Sequence, residues 1–193
     1  SPSRASIFTG RHPHCTGVMG LTQPPLNWDM HEDELHLGQI LAEAGYRTVA
    51  IGTIHETHSG PERCGYQEYH GGSRAKVATD QAVDLLPDLA QSDKPFYLSV
   101  GFIEPHKLPY QDHDGWMTGE YSWPGEHLEQ DDELGVEVPA YIADTEGARR
   151  EVAGLQGAVK HVDEQFGRIY SRVKELGILE NTVVVFTTDH GIA

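Results

Sequence analysis

The chain has 193 residues and a formal net charge of −16, from 14 Lys and Arg residues against 30 Asp and Glu residues. A charge of this sign repels nucleic-acid backbones and anionic membranes, so it excludes both as general partners. The length suits one domain of ordinary size or a large piece of a bigger one, and no stretch approaches the roughly 20 apolar residues of a membrane helix. The two cysteines, Cys15 and Cys64, allow a single bridge or two free thiols.

Predicted helices and strands alternate along the chain. Hydrophobic periodicity, with Pro near helix starts and Gly after helix ends, predicts helices over 2–9, 33–44, 73–86 and 148–176 and strands over 46–52, 96–102 and 182–188. The helix over 33–44 is expected to carry an apolar face made of Leu37, Ile40, Leu41 and Ala44. The helix over 73–86 is expected to be interrupted near Pro87.

The remaining long segments have distinct compositions. Residues 109–139 are rich in Gly, Trp, Pro and acidic residues, which is typical of a long irregular excursion that carries specificity. The helix over 148–176 has apolar residues at coiled-coil spacing, but Gly154, Gly157 and Gly167 favour close packing on a sheet. The strand over 182–188 is a continuous apolar run, which indicates burial on both faces.

Strands separated by long helices predict an α/β fold, a three-layer α/β/α arrangement around a largely parallel central sheet. In such sheets ligands bind beyond the carboxyl ends of the strands. A histidine follows each predicted strand there, namely His55, His106 and His190, and the acids Glu104 and Asp189 accompany two of them. A lone histidine carries little weight, but three at equivalent positions predict a site for a metal or an anionic substrate.

Arg4 lies in the first turn of the predicted opening helix. The N-terminus of a helix offers free backbone N–H groups and the positive end of the helix dipole, which suit an oxyanion. The arginine guanidinium adds a bidentate fork for sulfate or phosphate. A surface arginine is the alternative interpretation, and the histidines at the three strand ends favour the anion site.

The first eleven residues, SPSRASIFTGR, resemble the sulfatase signature, in which Cys or Ser is followed by x-Pro-x-Arg and then by Thr-Gly-Arg. Residues 35–55 resemble the family's helix, Ala-Gly-Tyr-x-Thr turn, strand and Gly-Lys-x-His segment. Residues 181–191 resemble its strand and metal-binding Asp-His/Asn-Gly motif. The resemblance covers nearly the whole chain, with 109–139 its weakest part.

Within the sulfatase family, residues 17–21, 102–106 and 189–192 are most similar to the N-sulfoglucosamine sulfohydrolase (heparan N-sulfatase) branch. The resemblance implies an alkaline-phosphatase-like fold, with 1–193 as part of one sulfatase catalytic domain that lacks its first strand and its C-terminal portion. It implies hydrolysis of a sulfate ester or sulfamate on a sulfated sugar, as in glycosaminoglycan degradation. A lysosomal or a bacterial periplasmic or extracellular location is equally implied.

The resemblance also implies cofactors and residue roles. Sulfatases use a formylglycine, here expected on the residue that precedes Ser1 and made by a formylglycine-generating enzyme, together with a divalent metal, usually Ca²⁺. The residues that match the family's catalytic positions are Arg4, His55 and His106, and those that match metal-ligand positions are Asp189 and His190. The weaker candidates for substrate contacts are Lys107, Glu104 and His14.

The chain departs from the family pattern in several places. Thr53 stands where the family has the lysine of Gly-Lys-x-His, which removes a positive charge from the expected sulfate site. The modified residue and the early metal-binding aspartates would precede Ser1, and a further basic residue is expected beyond Asp189 and His190. These departures predict that the 193 residues alone bind metal poorly and do not turn over.

Two other functions stay open from the sequence. A phosphoester or phosphonate hydrolase of the same superfamily would use a similar site, because phosphate and sulfate share a tetrahedral shape. A non-catalytic descendant would only bind sulfated glycans, although the net negative charge counts mildly against a broad polyanion-binding surface. The residue that precedes Ser1 would discriminate among the three hypotheses.

Overall fold

The computed structural model describes residues 1–111, 117–122, 132 and 135–191. The helices and strands are, in chain order, α1 (Pro2–Thr9), α2 (Pro13–Thr16), α3 (Leu37–Glu43), β1 (Arg47–Gly52), β2 (Glu68–His70), α4 (Ala75–Gln91), β3 (Phe96–Gly101), β4 (Leu108–Gln111), β5 (Met117–Ser122) and α5 (Glu146–Glu175). Short 3₁₀ turns lie at Pro61–Cys64 and Leu179–Asn181. Helix α1 and strands β1 and β3 begin and end within one residue of their predicted bounds.

The central sheet has the strand order β2-β1-β3, and both pairs are parallel. Successive side chains of a strand point to opposite sides, and the central strand β1 has packed side chains on both of its faces. Val49 and Ile51 pack in a cluster with residues of α4, while Ala50 lies in a second cluster with Ala5 of α1 and Tyr66. The predicted parallel sheet between helical layers is therefore confirmed.

Helix α4 continues through Pro87 instead of breaking there, so the predicted interruption is wrong. A proline inside a helix removes one backbone hydrogen bond and costs about 3 kcal/mol. Packing offsets this free-energy cost, because α4 buries residues on both sides of the proline: Leu86 and Leu89 are each only 1% exposed. Tertiary burial thus outweighs the local preference of the sequence.

Helix α3 is shorter than predicted, and its predicted apolar face is largely exposed. The helix begins at Leu37 because His36 caps it: the His36 Nδ1 accepts from the backbone N–H of Gly38, and the backbone N–H of His36 donates to Oε1 of Gln39. Within the described residues, Leu37 and Ile40 are 37% and 48% exposed, and Gly38 is the buried residue of the helix.

The strand predicted over 182–188 is not formed, which corrects the sequence interpretation. The segment has no regular secondary structure, and Val183, Val185 and Phe186 are 90%, 76% and 61% exposed. A strand needs a neighbour for its backbone N–H and C=O groups, and the described residues place none beside this segment. The predicted burial on both faces is therefore absent from the described structure.

Helix α5 extends over 30 residues with Thr145 as its N-cap, close to its predicted bounds. Among the described residues it packs against helix α4 and not, as predicted, directly on the sheet, and Gly154 and Gly157 are buried. Gly167 is different, since a Cβ at that position would meet no atom within 4 Å. In the described part of the chain, no helix has the length and apolarity to span a membrane.

The excursion predicted over 109–139 contains regular structure. Strands β4 and β5 pair antiparallel, with Leu108 opposite Ser122 and Gln111 opposite Met117. The stretches 112–116, 123–131 and 133–134 lie outside the described residues, so the prediction of irregular structure is corrected for the paired strands alone. Elsewhere, Cys15 and Cys64 are free thiols, which decides between the two alternatives left open by the sequence.

Gly52, at the end of β1, is expected to tolerate no side chain. Its φ is +80°, and a Cβ there would collide with the carbonyl oxygen of Gly101 on the neighbouring strand. Gly52→Ala should therefore lower the free energy of unfolding by about 2–5 kcal/mol, from left-handed strain plus overpacking. Urea unfolding of the protein expressed from its full reading frame measures the loss.

Gly45→Ala is the matched control, because Gly45 has a similar φ of +91° but open space around its Cβ position. It should cost only the conformational term of about 1–2 kcal/mol. Equal losses at the two positions would show that the close approach of β1 and β3 does not constrain Gly52.

Candidate active site at the sheet edge

Strands β1 and β3 end side by side and deliver their following loops to one edge of the sheet. Gly52 pairs with Gly101 in the register, and the Thr53 backbone N–H donates to the Gly101 carbonyl at 2.9 Å. The loops that carry His55 and His106 therefore leave from neighbouring points, as the sequence predicts for the carboxyl ends of parallel strands.

Arg4 reaches this edge from α1 and is held there by two hydrogen bonds. Its Nε donates to Oε2 of Glu56 at 2.9 Å, and its Nη2 donates to the Thr53 carbonyl at 3.0 Å. The Arg4 side chain is 16% exposed and Glu56 is fully buried. Burial favours the neutral form of Arg4, but the charge and hydrogen bond of Glu56 outweigh it and raise the pKa. The guanidinium is thus a fixed cation that keeps N–H donors beyond those two bonds among the described residues.

His55 follows β1 and is half-buried next to this cation. Burial and the positive charge of Arg4 lower the pKa of His55 below its ordinary value, against the opposing effect of Glu56. The imidazole is therefore neutral over a wider pH range than an exposed histidine. A neutral imidazole beside a guanidinium is equipped to accept a proton near an anion-binding group.

Asp189 belongs to the same electrostatic environment. Its negative charge raises the pKa of both Arg4 and His55, as a smaller contribution than burial in each case. Its side chain is 34% exposed and that of His190 is 65% exposed. Arg4, His55 and Asp189 are thus brought to one region, whereas His190 faces more towards solvent.

Asp189 and His190 can supply part of a metal site. The His190 Nδ1 lies 2.8 Å from the Gly191 carbonyl, which accepts its proton and leaves the Nε2 lone pair free. That Nε2 lies 3.8 Å from Oδ1 of Asp189. One oxygen and one nitrogen donor match one side of a divalent-cation site, but Ca²⁺ takes about six to eight oxygen ligands. The described residues therefore supply only some of the ligands that such a cation needs.

The other predicted site residues follow β3 or lie on α2. His106 is exposed, and its Nδ1 faces the Lys107 carbonyl. Lys107 forms an ion pair with Glu151 of α5. The carboxylate of Glu104 accepts the backbone N–H of Ala75 at 2.7 Å, at the first residue of α4.

His14 is exposed on α2 and stacks with His12, with ring centroids 5.6 Å apart. The roles of Lys107, Glu104 and His14 towards substrate stay predictions.

Sequence reasoning missed two carboxylates that support the loop after β1. Glu56 directly follows His55, but an acid next to a histidine is common in sequences, so this pair alone did not indicate a supporting role for Glu56. Asp29 lies between two loops and accepts hydrogen bonds from the hydroxyls of Thr57 and Ser59 and from the backbone N–H of His58. The spacing of 28 positions between Asp29 and Thr57 left no local pattern to detect.

Asp29→Asn is expected to destabilise this loop at neutral pH by about 1–3 kcal/mol, since the lost hydrogen bonds are to a charged acceptor. Burial raises the pKa of Asp29, but the hydrogen bonds from Ser59, Thr57 and the backbone outweigh it and lower the pKa. The folded-state pKa then lies below the unfolded value of about 3.9. The stabilisation is therefore present above about pH 4 and is lost as the pH falls further.

Urea unfolding at pH 7 and near pH 3 measures this dependence. The difference between wild type and Asp29→Asn should shrink at the acidic pH. Asp33→Asn, at an exposed acid of the neighbouring loop, should change stability little at either pH. A constant difference for Asp29→Asn would contradict the ionised carboxylate as the anchor.

Comparison with known proteins gives a family for the whole chain. Residues 1–193 match the family model described as Sulfatase. The chain is 30% identical over 209 residues to human N-sulphoglucosamine sulphohydrolase, covering 100% of this chain and 41% of that protein. It is 23% identical over 258 residues to human iduronate 2-sulfatase, covering 100% of this chain and 46% of that protein. The chain thus spans less than half the length of these curated relatives.

Solved structures share the fold. One, from work on the metabolism of multiple glycosaminoglycans by Bacteroides thetaiotaomicron, aligns with a TM-score of 0.69 and 20% identity, covering 99% of this chain and 49% of that chain. Another, in complex with its substrate D-glucosamine-2-N,6-O-disulfate, aligns with a TM-score of 0.60 and 18% identity, covering 93% and 53%. At these identities the likeness establishes the architecture.

Proposed function

The chain belongs to the sulfatase family, and on that premise we propose that the protein hydrolyses the sulfate ester or sulfamate of a sulfated sugar. The observation that supports this most directly is the guanidinium of Arg4, fixed at the sheet edge beside the neutral His55. A sugar substrate is supported by relatives, one of them named N-sulphoglucosamine sulphohydrolase and one structure bound to a disulfated glucosamine.

In this proposal a formylglycine, made by a formylglycine-generating enzyme from the residue that precedes Ser1, supplies the nucleophile, and a divalent cation such as Ca²⁺, held in part by Asp189 and His190, supplies positive charge. Arg4 binds a sulfate oxygen with the N–H groups that Glu56 and Thr53 leave unused. Its orientation is fixed before substrate arrives, so little reorganisation is needed when negative charge builds up.

The two histidines take different proton-transfer roles. His55 is neutral near pH 7 and accepts a proton at its imidazole nitrogen. The Nδ1–H of His106 donates to the Lys107 carbonyl, so Nε2 is the atom directed to substrate. In its imidazolium form, His106 delivers the Nε2 proton to the leaving oxygen or nitrogen. Lys107, Glu104 and His14 are proposed contacts for the sugar.

The experiment expresses the protein from its full reading frame and measures sulfate release from glucosamine 2-N-sulfate and glucosamine 6-O-sulfate. Phosphate release from glucosamine 6-phosphate is measured in parallel. Sulfate release that is lost with EDTA and restored with Ca²⁺ is expected. Phosphate release alone would support the phosphohydrolase hypothesis, and tight binding of sulfated sugar without turnover would support a glycan-binding protein.

A further inference from the structure

Glu56 lies at the centre of a buried polar cluster behind the sheet edge. One of its oxygens, Oε2, accepts two hydrogen bonds: from Arg4 Nε at 2.9 Å and from the backbone N–H of His55 at 2.7 Å. The first donor comes from α1 and the second from the loop after β1. A single fully buried atom therefore sets the separation between the two elements that carry the proposed catalytic groups.

The second oxygen of Glu56 faces His36. Its Oε1 lies 3.9 Å from Nε2 of His36, and both side chains are fully buried. The His36 Nδ1 accepts the backbone N–H of Gly38, so in the neutral ring the proton is on Nε2. Burial lowers the pKa of His36 to about 4, which keeps the ring neutral. The neutral His36 ring thus faces Glu56 at a distance longer than a hydrogen bond.

The same neighbourhood has the composition of a metal site, but its protonation argues otherwise. One ligand atom each of His36, Glu56 and Cys64 lies within 4.8 Å of the others. A metal would need the Nε2 lone pair of His36, which carries the proton, and a thiolate from Cys64, whose pKa is raised by burial. The cluster is therefore better described as a neutral, buried surround for Glu56, in which His36 Nε2 and Glu56 Oε1 make no hydrogen bond with the described residues.

We propose that Glu56 is a positioning residue for the reaction, which aims the Arg4 guanidinium and the His55 main chain by holding both on one carboxylate oxygen. This inference rests on the proposed function. Charge-assisted hydrogen bonds are shorter and stronger than neutral ones, and burial strengthens them further. A neutral amide in place of the carboxylate would keep the volume but hold two donors less tightly.

The effect of misplacement falls on catalysis more than on binding. The Nη2 bond from Arg4 to the Thr53 carbonyl remains when Glu56 is changed, so the cation stays at the edge but can rotate about that bond. A displacement of about 1 Å in a catalytic group can cost on the order of 100-fold in rate. Substrate binding, which draws on further contacts, changes less.

The test compares Glu56→Gln and Glu56→Asp in the protein expressed from its full reading frame, with rates normalised to the folded fraction. Glu56→Gln should lower kcat about 100-fold while KM changes by less than about threefold. Glu56→Asp keeps the charge, but its shorter side chain moves the carboxylate oxygen away from the two donors, so it should also lower kcat. This variant is the test to use if the glutamine variant does not fold. Wild-type kcat per folded molecule in either variant would overturn the proposal.

Glu34→Gln is the matched control, because Glu34 is also a buried acid, 5% exposed, and pairs with Arg11, which has no proposed part in the reaction. It should lower stability and leave kcat unchanged.

A readout independent of turnover is the Arg4 Nε–H resonance in ¹H–¹⁵N spectra, expected downfield and slowly exchanging in wild type and lost in Glu56→Gln. If that resonance behaves as expected but wild type hydrolyses no sulfated sugar, the proposed function fails while the Arg4–Glu56 contact stands. An unchanged resonance in Glu56→Gln overturns the positioning proposal by itself.

Discussion

Arg4→Met is expected to lower the free energy of unfolding by about 3–5 kcal/mol and to abolish measurable sulfate release. The stability loss arises because the Glu56 carboxylate, fully buried, would lose its cationic partner, and an unpaired buried charge is strongly destabilising. The activity loss arises because methionine offers no N–H group to a sulfate oxygen. Urea unfolding and a sulfate-release assay on the protein from its full reading frame measure the two effects.

Arg168→Met on α5 is the control for this result. Arg168 pairs with Asp80 at 2.6 Å, but the two side chains are 44% and 41% exposed. Solvent-exposed ion pairs contribute about 0–1 kcal/mol, so this variant should unfold nearly like wild type and retain full turnover. Equal losses for the two arginines would mean that burial of the Arg4–Glu56 pair has no special weight.

His55→Gln is expected to lower kcat by on the order of 10²–10⁴-fold, the range for loss of a positioned acid–base group. Burial and the Arg4 charge lower the pKa of His55, so in wild type the acidic limb of kcat/KM should lie below about pH 6.5, the ordinary histidine value. The variant should lack that limb. The acidic limb is resolved by measuring kcat/KM of wild type and variant between pH 4 and 8, at intervals of about one pH unit.

Stability gives a second readout of the same histidine. Its folded-state pKa is below the unfolded value, so the unfolded chain binds the proton first as the pH falls. Wild type should therefore lose stability from about pH 6.5 downward relative to His55→Gln. His58→Gln, an exposed histidine three positions on in the same loop, should keep wild-type kcat. An unchanged acidic limb in His55→Gln would assign that limb to another group.

The parts of the fold that follow from local pattern were predictable. Strands β1 and β3 are compact apolar runs beside glycines, and α1 carries proline at its start and Gly10 in the left-handed region at its end. The path of α4 through Pro87 was not predictable, because it depends on burial against the sheet. The strand expected over 182–188 shows the same limit, since an apolar run forms a strand only beside a pairing neighbour.

The candidate site divides in a similar way. His55 and His106 were placed by position, because the loops after parallel strands gather at one edge of the sheet, whereas His190 follows a predicted strand that is not formed in the described structure. Glu56 was not found, since its partner Arg4 is 52 positions away and only burial distinguishes this carboxylate from a surface acid. Side chains that touch substrate leave motifs in the sequence, whereas those that hold them in place are recognisable from three-dimensional contacts.

The exposed apolar segment 182–188 has a consequence for the behaviour of the chain in solution. Its β-branched residues, with no charge among them, pair with no strand in the described part of this chain, so their backbone groups are open to a strand from a second molecule. The net charge of −16 opposes such contact by repulsion between molecules. Because salt screens that repulsion over about 8–10 Å near physiological ionic strength, self-association of these residues is favoured by salt, and low ionic strength keeps them dispersed.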